Sequence, residues 1–225
     1  MTSPYSVLVF SKTTGYRHDS IPAGVEAIRL LGAAGGFTVA ATEDSDRFTP
    51  DGLAAHEVVV FLNTTGEVLD AAQKNAFESY IRGGGGFVGV HAAADTEYDW
   101  PFYGELVGAH FAAHPAVQRA TVRVEDHAHP ATAHLPSSWV ITDEWYDYRT
   151  NPRGSARVLS TVDESTYSGA TMGADHPHTW CKTVGDGRSF YTGSGHTAEI
   201  FGDPDFRSLL LGGIRYAANR FPDDI

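Results

Sequence analysis

Short apolar runs alternate with helical patterns through the first half of this 225-residue chain, and that alternation constrains the fold most. The run at 58–62, Val-Val-Val-Phe-Leu, is mostly β-branched and uninterrupted, which is typical of a strand covered on both faces. Strands that alternate with helices at this spacing predict a mostly parallel, doubly wound sheet with right-handed crossovers. We therefore expect a three-layer α/β/α, flavodoxin-like fold, formed as one domain over residues 1–225.

The predicted helices have recognisable ends. Ser20 stands at the N-cap of a helix that runs to about Ala34, with Pro22 in its first turn, and Gly35-Gly36 ends it. The predicted strands of the first half are 5–10, 37–42, 58–62 and 86–91, with a helix at 70–82. The second half adds strand candidates at 120–124, 139–141, 156–162 and 188–192, some of them antiparallel, and a closing helix at 204–219.

Composition excludes some classes of partner. The formal net charge is −12, whereas nucleic-acid binding requires clustered Lys and Arg, so we expect no nucleic-acid partner. Cys181 is the single cysteine, which fits a reducing compartment. The first ten residues do not have the pattern of a signal peptide, and no run approaches a membrane span. We therefore expect a soluble cytoplasmic protein with no membrane partner.

Polar clusters follow three of the predicted strands, at 13–19, 63–67 and 91–95. Ligands of open α/β sheets bind outside the carboxyl ends of the strands, so these loops predict one site. In the third cluster, the small residues around His91 in Gly89-Val90-His91-Ala92-Ala93 resemble a nucleophile elbow. A histidine there can act as a general acid/base or as a metal ligand, and we expect its ring to face an open pocket.

The stretch Gly83 to Asp95, GGGGFVGVHAAAD, resembles the signature of the ThuA-like (trehalose utilisation) family, which shares the class I glutamine amidotransferase-like fold. The likeness extends over nearly the whole chain. Its other motifs are 10–20, Leu106-Val107-Gly108, Phe111, His114-Pro115, His129-Pro130, Asp143-Glu144-Trp145-Tyr146, Trp180, 187–191 and Gly195-His196. The resemblance implies a role in carbohydrate metabolism, with trehalose and related glycosides passing through 3-keto sugars.

The resemblance also sets this chain apart from glutaminases. The elbow residue of amidotransferases is a cysteine, and the matching residue here is His91. The histidine of their triad falls near His196, but Ala198 replaces the acid two residues later, and Glu199 comes one step further on. Without a thiolate no thioester can form, so we expect no glutaminase activity. An amidase that uses Ser194 is a further, disfavoured hypothesis.

The candidate catalytic residues combine imidazoles with carboxylates. His91 is the expected central acid/base, His18 and His196 flank it, and Asp95 and Glu144 orient imidazoles or substrate hydroxyls. Two mechanisms stay open: a divalent metal held by two or three of these histidines and a carboxylate, or a metal-free pair of His91 and Glu144. The candidate substrate-binding residues are Tyr16, Arg17, Thr64, His114, Trp145, Tyr146 and Trp180.

The preferred hypothesis is an enzyme of hydrolase, lyase or isomerase type that acts on a sugar by proton transfer next to a carbonyl. The alternative is a non-catalytic module that binds a sugar or supports a partner enzyme. Exposed aromatic residues near the loops would allow a homodimer. We interpret His176-Pro177-His178 as a surface loop.

Overall fold

The computed structural model of the protein describes residues 4–220, and every count below refers to them. The strands are β1 (Tyr5–Phe10), β2 (Phe37–Thr42), β3 (Val58–Leu62), β4 (Gly86–Val90), β5 (Phe111–Ala113), β6 (Gln118–Val124), β7 (Ser138–Asp143), β8 (Asp147–Tyr148), β9 (Arg157–Asp163), β10 (Pro177–Val184) and β11 (Gly187–Thr192). The helices are α1 (Ile21–Gly35), α2 (Pro50–Ala54), α3 (Ala71–Arg82), α4 (Pro101–Val107) and α5 (Pro204–Ala217).

Nine of these strands form one sheet in the order β2-β1-β3-β4-β11-β10-β9-β6-β7, and β5 pairs with β8 apart from it. The first five strands of the order pair in parallel. The other four pair antiparallel, so β10 and β6 run against the rest while β9 and β7 return to the common direction. The predicted mostly parallel, flavodoxin-like sheet is confirmed, as are its antiparallel later strands.

Both faces of the sheet are covered by apolar side chains, which explains the uninterrupted run of β3. One core lies against α1 and α5 and includes Val60, Phe190 and Ile214. The other lies against α3 and α4 and includes Phe61 and Phe77. These two cores hold the carboxyl ends of β1, β3, β4 and β11 side by side at one edge of the sheet.

The helix ends agree with the sequence, except for one side chain. Asp70 accepts a hydrogen bond from the Gln73 amide as half of a capping box before α3, and Gly36 ends α1 with φ of 78°. Ser20 stands at the N-cap of α1 as predicted, but its hydroxyl makes no cap. It donates instead to the Gly195 carbonyl oxygen at 2.9 Å, across the carboxyl edge of the sheet.

The interpretation of His176-Pro177-His178 as a surface loop was wrong. All three residues are buried, and Pro177 is the first residue of β10, a position where the missing amide hydrogen is tolerated. The His176 ring contacts Glu164 and the Tyr146 carbonyl oxygen, and the His178 ring contacts the Ser194 hydroxyl. Such contacts, which sequence spacing does not reveal, make histidines acceptable inside a sheet.

His129, just before the turn at Pro130, gives a prediction about acid stability. Its ring is buried near Phe190 and Tyr216, and Nδ1 accepts a hydrogen bond from the Ala131 amide. Burial, with a smaller contribution from Arg157 and against the opposing effect of Asp126, lowers its pKa to about 4. Between pH 6.5 and that value the unfolded chain binds a proton that the folded chain does not, so folding weakens as the pH falls.

We expect His129→Gln to remove this contribution. The wild type should lose about 1 to 3 kcal/mol more unfolding free energy than the variant between pH 7 and pH 4. Urea unfolding of both proteins at the two pH values measures the difference, in which titrating groups that do not interact with His129 cancel. Equal losses in the two proteins would contradict the assignment.

Candidate functional site

The bend after β4 has the geometry that the sequence predicts. His91 begins a 3₁₀ turn over His91–Asp95 with φ of 47°, a left-handed conformation that a residue with a side chain seldom adopts. The segment that packs against this turn needs a glycine at position 195, because a Cβ there would lie 2.8 Å from Val90 Cγ1 and 3.3 Å from His91 Cβ. The sharp turn expected after β4 is therefore formed, and the side chain at its elbow position is the imidazole of His91.

The ring of His91 lies beneath the pocket rather than in it, so the expectation of an open position was wrong. The side chain is fully buried, and its ring packs 4.0 Å from that of Tyr146, between centroids. Nδ1 lies 2.7 Å from the Gly193 carbonyl oxygen and therefore carries the donated hydrogen. Nε2 faces Glu144 Oε2 at 3.4 Å.

Glu144 is the carboxylate on which the histidines converge. Its Oε2 lies 3.1 Å from His196 Nδ1, and its Oε1 lies 2.9 Å from His114 Nδ1. The His18 ring is edge-on to the rings of His91 and His196, with centroids 5.0 and 5.1 Å away. His18, His91, His196 and Glu144, which we call the histidine-glutamate cluster, lie together as the sequence predicted.

Burial and mutual contact shift the pKa values of this cluster in opposite directions. Burial alone would raise the pKa of Glu144, but the contacts with His196 and His91 outweigh it and lower the value to about 2. Burial, with His91 and His196 beside it, lowers the pKa of His18 to about 3. The contact with Glu144 raises the pKa of His196. The site thus holds a permanent carboxylate and a neutral imidazole side by side at neutral pH.

Asp143, which the sequence analysis missed, fixes the loop that carries His196. Its fully buried carboxylate accepts hydrogen bonds from the amides of Glu144, Gly195, His196 and Thr197. On the other side of the loop, the Gly195 carbonyl oxygen accepts hydrogen bonds from Ser20 and Asn63. The only sign of this role in the sequence was the position of Asp143 directly before Glu144. The loop is therefore held from both sides.

A pocket of about 420 Å³ opens above the cluster. Its lining combines aromatic and ionisable side chains: Tyr16, His18, Asp95, Phe111, His114, Glu144, Tyr146 and His196. Phe111 was not predicted; its ring lies 4.3 Å from that of Tyr146, between centroids. A larger groove of about 850 Å³ lies at the amino ends of the strands and is lined mostly by small residues of α2, α3 and 83–85. The acid/base groups identify the smaller pocket as the candidate site.

The predicted site residues divide into those that reach this pocket and those that do not. Asp95 reaches it, and its carboxylate accepts a hydrogen bond from the Tyr98 hydroxyl at 2.6 Å rather than from an imidazole. Arg17 pairs with Glu43 at the surface, and Thr64 is buried against Thr96. These two residues are therefore not among the residues that line the pocket.

Trp145 and Trp180, predicted to bind substrate, are both fully buried. Trp145 Nε1 donates to the Gln118 carbonyl oxygen. Trp180 Nε1 donates to the Val107 carbonyl oxygen, and its ring stacks on Tyr191. Their placement in the two cores, where no substrate reaches them, corrects the expectation.

Two groups of residues have the composition of a metal site. The members of the histidine-glutamate cluster each offer one ligand atom, and these atoms lie within 4.8 Å of one another. Asp147, Glu164 and His176 form the second group by the same measure.

The helices within residues 4–220 include none with the length and apolar character of a membrane span.

Comparison with known proteins identifies the family. A sequence profile described as ThuA, trehalose utilisation, matches residues 6–217. The chain belongs to the ThuA family. Membership of the ThuA family implies a role in trehalose utilisation and thus in carbohydrate metabolism. Among curated proteins, no sequence matches this ThuA-family chain.

Solved structures share the ThuA-family fold seen here. A putative ThuA-like protein from Bacteroides uniformis has 24% identity and a TM-score of 0.81, with 96% of this chain and 93% of that chain covered. One from Parabacteroides merdae has 22% identity and a TM-score of 0.81, with 99% and 93% covered. A cytoplasmic protein from Salmonella typhimurium has 12% identity and a TM-score of 0.63, with 94% and 98% covered. At these identities the likeness shows the fold alone.

Proposed function

We propose that this ThuA-family chain acts on a sugar or a 3-keto-glycoside by acid/base chemistry, moving a proton next to a carbonyl. The observation that carries the proposal is the junction of the histidine-glutamate cluster with an aromatic-walled pocket of about 420 Å³. Aromatic faces suit the C–H faces of a sugar ring, and imidazoles beside a carboxylate suit proton transfer. The family's role in trehalose utilisation gives the substrate class.

Each group then has a distinct part. Glu144 stays ionised and orients His196 and His114, which reach the pocket. His91 lies below Glu144, with Nε2 3.4 Å from Oε2, and its Nδ1 donates a hydrogen bond to the Gly193 carbonyl oxygen that holds the ring in place. Phe111, Tyr16 and Tyr146 form the walls, and Asp95 accepts hydrogen bonds from sugar hydroxyls. A divalent metal in this cluster would polarise the substrate carbonyl.

Glutaminase chemistry is not part of the proposal. The elbow side chain is an imidazole, and the Cys181 thiol is buried on β10, where burial raises its pKa. Ser194 is fully buried and contacts His178 rather than His196. Neither residue is placed to attack a substrate in the pocket.

Exchange of carbon-bound hydrogen in D₂O tests the proposal directly. We expect the protein to catalyse incorporation of deuterium at the carbon next to the carbonyl of a 3-keto-glycoside, which mass spectrometry measures. The parent glycoside should not exchange, because it lacks an acidified C–H bond. If no 3-keto-glycoside showed either deuterium exchange or a product, the proposal would be contradicted. Calorimetric binding of the same sugar without exchange would favour the alternative of a sugar-binding module.

We also propose a cytoplasmic location and leave a homodimer as a further proposal. The Salmonella neighbour that shares the fold is named a cytoplasmic protein, which supports the location. Tyr16, with 64% of its surface exposed at the rim of the pocket, supplies an aromatic contact for a second copy.

A further inference from the structure

Three imidazole nitrogens at the bottom of the pocket are buried and lack a hydrogen-bond partner: His18 Nδ1, His91 Nε2 and His196 Nδ1. Among residues 4–220 only nine buried side-chain atoms are in this state, and three of them belong to this one cluster. His196 Nδ1 is close to Glu144 Oε2 but not in hydrogen-bonding geometry. A buried polar atom without a partner destabilises a fold, so three together require a common explanation.

We propose that the histidine-glutamate cluster binds one divalent transition-metal ion through a ring nitrogen of each histidine and a carboxylate oxygen of Glu144. The inference deepens the proposed function, because it adds an ion to the same site. Only the catalytic role of the ion rests on the proposed function. Binding itself depends on the ligands alone.

The geometry supports four ligands around one ion. Ligand atoms at about 2.0–2.2 Å from a tetrahedral zinc ion stand roughly 3.4 Å from one another. Glu144 Oε2 already lies 3.4 Å from His91 Nε2 and 3.1 Å from His196 Nδ1. All four candidate atoms lie within 4.8 Å of one another, so small side-chain rotations complete the set.

Residues around the cluster hold these ligands in the required form. The Gly193 carbonyl oxygen accepts a hydrogen bond from His91 Nδ1, which leaves Nε2 as the ring nitrogen that faces Glu144. His114 contacts the other oxygen of Glu144, and Asp143 anchors the amides of Glu144 and His196. Partners of this kind orient metal ligands in known sites, where they also fix the tautomer of a histidine.

The donor set selects the class of ion. Three imidazoles and one carboxylate suit Zn²⁺ and related first-row ions, whereas Mg²⁺ and Ca²⁺ take oxygen ligands. The His18 ring is buried and its Nδ1 has no hydrogen-bond partner, so this nitrogen can act as a ligand. The pocket above leaves room for a water or a substrate oxygen next to the ion.

The second group of potential ligands, Asp147, Glu164 and His176, does not share these features. Both ring nitrogens of His176 already contact oxygens, those of Glu164 and of the Tyr146 carbonyl. Glu164 also accepts hydrogen bonds from the amides of Met172 and Gly173. These contacts satisfy the group without an ion, so it serves as a control site.

Metal titration of the whole chain tests the inference without any substrate. Protein without an affinity tag is stripped with a chelator, titrated with Co²⁺ and then with Zn²⁺, and followed by visible absorption and by elemental mass spectrometry. We expect about one ion per chain and a higher melting temperature with Zn²⁺. His196→Gln and Glu144→Gln should each weaken binding at least about tenfold, because each removes one ligand. His127→Gln at the surface and Glu164→Gln in the second group should leave the affinity within about twofold.

Three outcomes would overturn the inference: wild-type chain that is folded by circular dichroism but binds less than about 0.2 ions, affinity unchanged in both ligand variants, or affinity lost equally in Glu164→Gln. If one ligand variant fails to fold, the other still decides. Stoichiometric binding with no action on a 3-keto-glycoside would support the metal site and contradict the proposed function alone.

Discussion

Replacing His91 with glutamine is expected to lower kcat/KM on a 3-keto-glycoside by about tenfold to a hundredfold, the usual cost of removing a residue that positions a functional group without touching substrate. Glutamine can keep a hydrogen bond to the Gly193 carbonyl oxygen, but it has no imidazole nitrogen to place beside Glu144 Oε2. Histidine is enriched at left-handed φ values such as the 47° found here and glutamine is not, so the stability of this variant has to be measured together with its turnover.

Stability provides the control for this variant. We expect His91→Gln to lose about 1 to 2 kcal/mol of unfolding free energy, because one buried ring and its contact with Tyr146 are lost. His129→Gln removes another buried histidine, in the core behind the sheet, and should cost a similar amount of stability while leaving turnover within about twofold. Metal content is measured on both proteins. If His91→Gln kept more than about a tenth of wild-type turnover, His91 would have no essential part in the reaction.

Trp180→Ala is expected to destabilise the fold by about 3 to 5 kcal/mol, the usual range for removing a fully buried tryptophan. The ring of Trp180 stacks on that of Tyr191 with centroids 4.3 Å apart, and Nε1 donates to the Val107 carbonyl oxygen. Truncation would leave a cavity between β10 and α4 and an unpaired buried carbonyl. Urea unfolding monitored by circular dichroism measures the loss.

A milder variant separates packing from substrate binding. Trp180→Phe keeps most of the apolar volume and should lose about 1 to 3 kcal/mol, while its affinity for a sugar ligand, measured by calorimetry, should stay within about twofold. Phe111→Ala at the pocket wall is the comparison, since its ring lines the pocket; it should weaken sugar binding with little loss of stability. A stable Trp180→Phe that bound sugar tenfold more weakly would restore the substrate-binding role predicted from the sequence.

The sequence was most informative where the pattern is local. In β3 and β4 the apolar runs are buried on both faces of the sheet. Asp70 caps the start of α3 with its carboxylate, and Gly36 ends α1 in a left-handed conformation. The elbow was predictable for the same reason, because a sharp turn needs small neighbours and Gly89, Ala92 and Ala93 supply them.

Residues next to one another were harder to assign, because consecutive side chains in extended backbone point to opposite faces. Asp143 anchors the 195–197 loop while Glu144 meets the histidines, and Trp145 enters a core while Tyr146 reaches the pocket. The motif Asp143-Glu144-Trp145-Tyr146 contains all four residues without showing which face each would take.

The sequence by itself determined the parallel half of the sheet, the elbow and the identity of the side chain placed there, because each depends on residues close together along the chain. Only the tertiary structure decided which histidines meet Glu144 and that Tyr146 lies over His91, because those contacts join β4, β7 and the loop after β11 across 50 to 100 residues. It also decided that the polar start of β10 is buried, because its partners come from elsewhere in the chain. Burial of a polar side chain depends on partners in space, and spacing along the sequence does not contain that information.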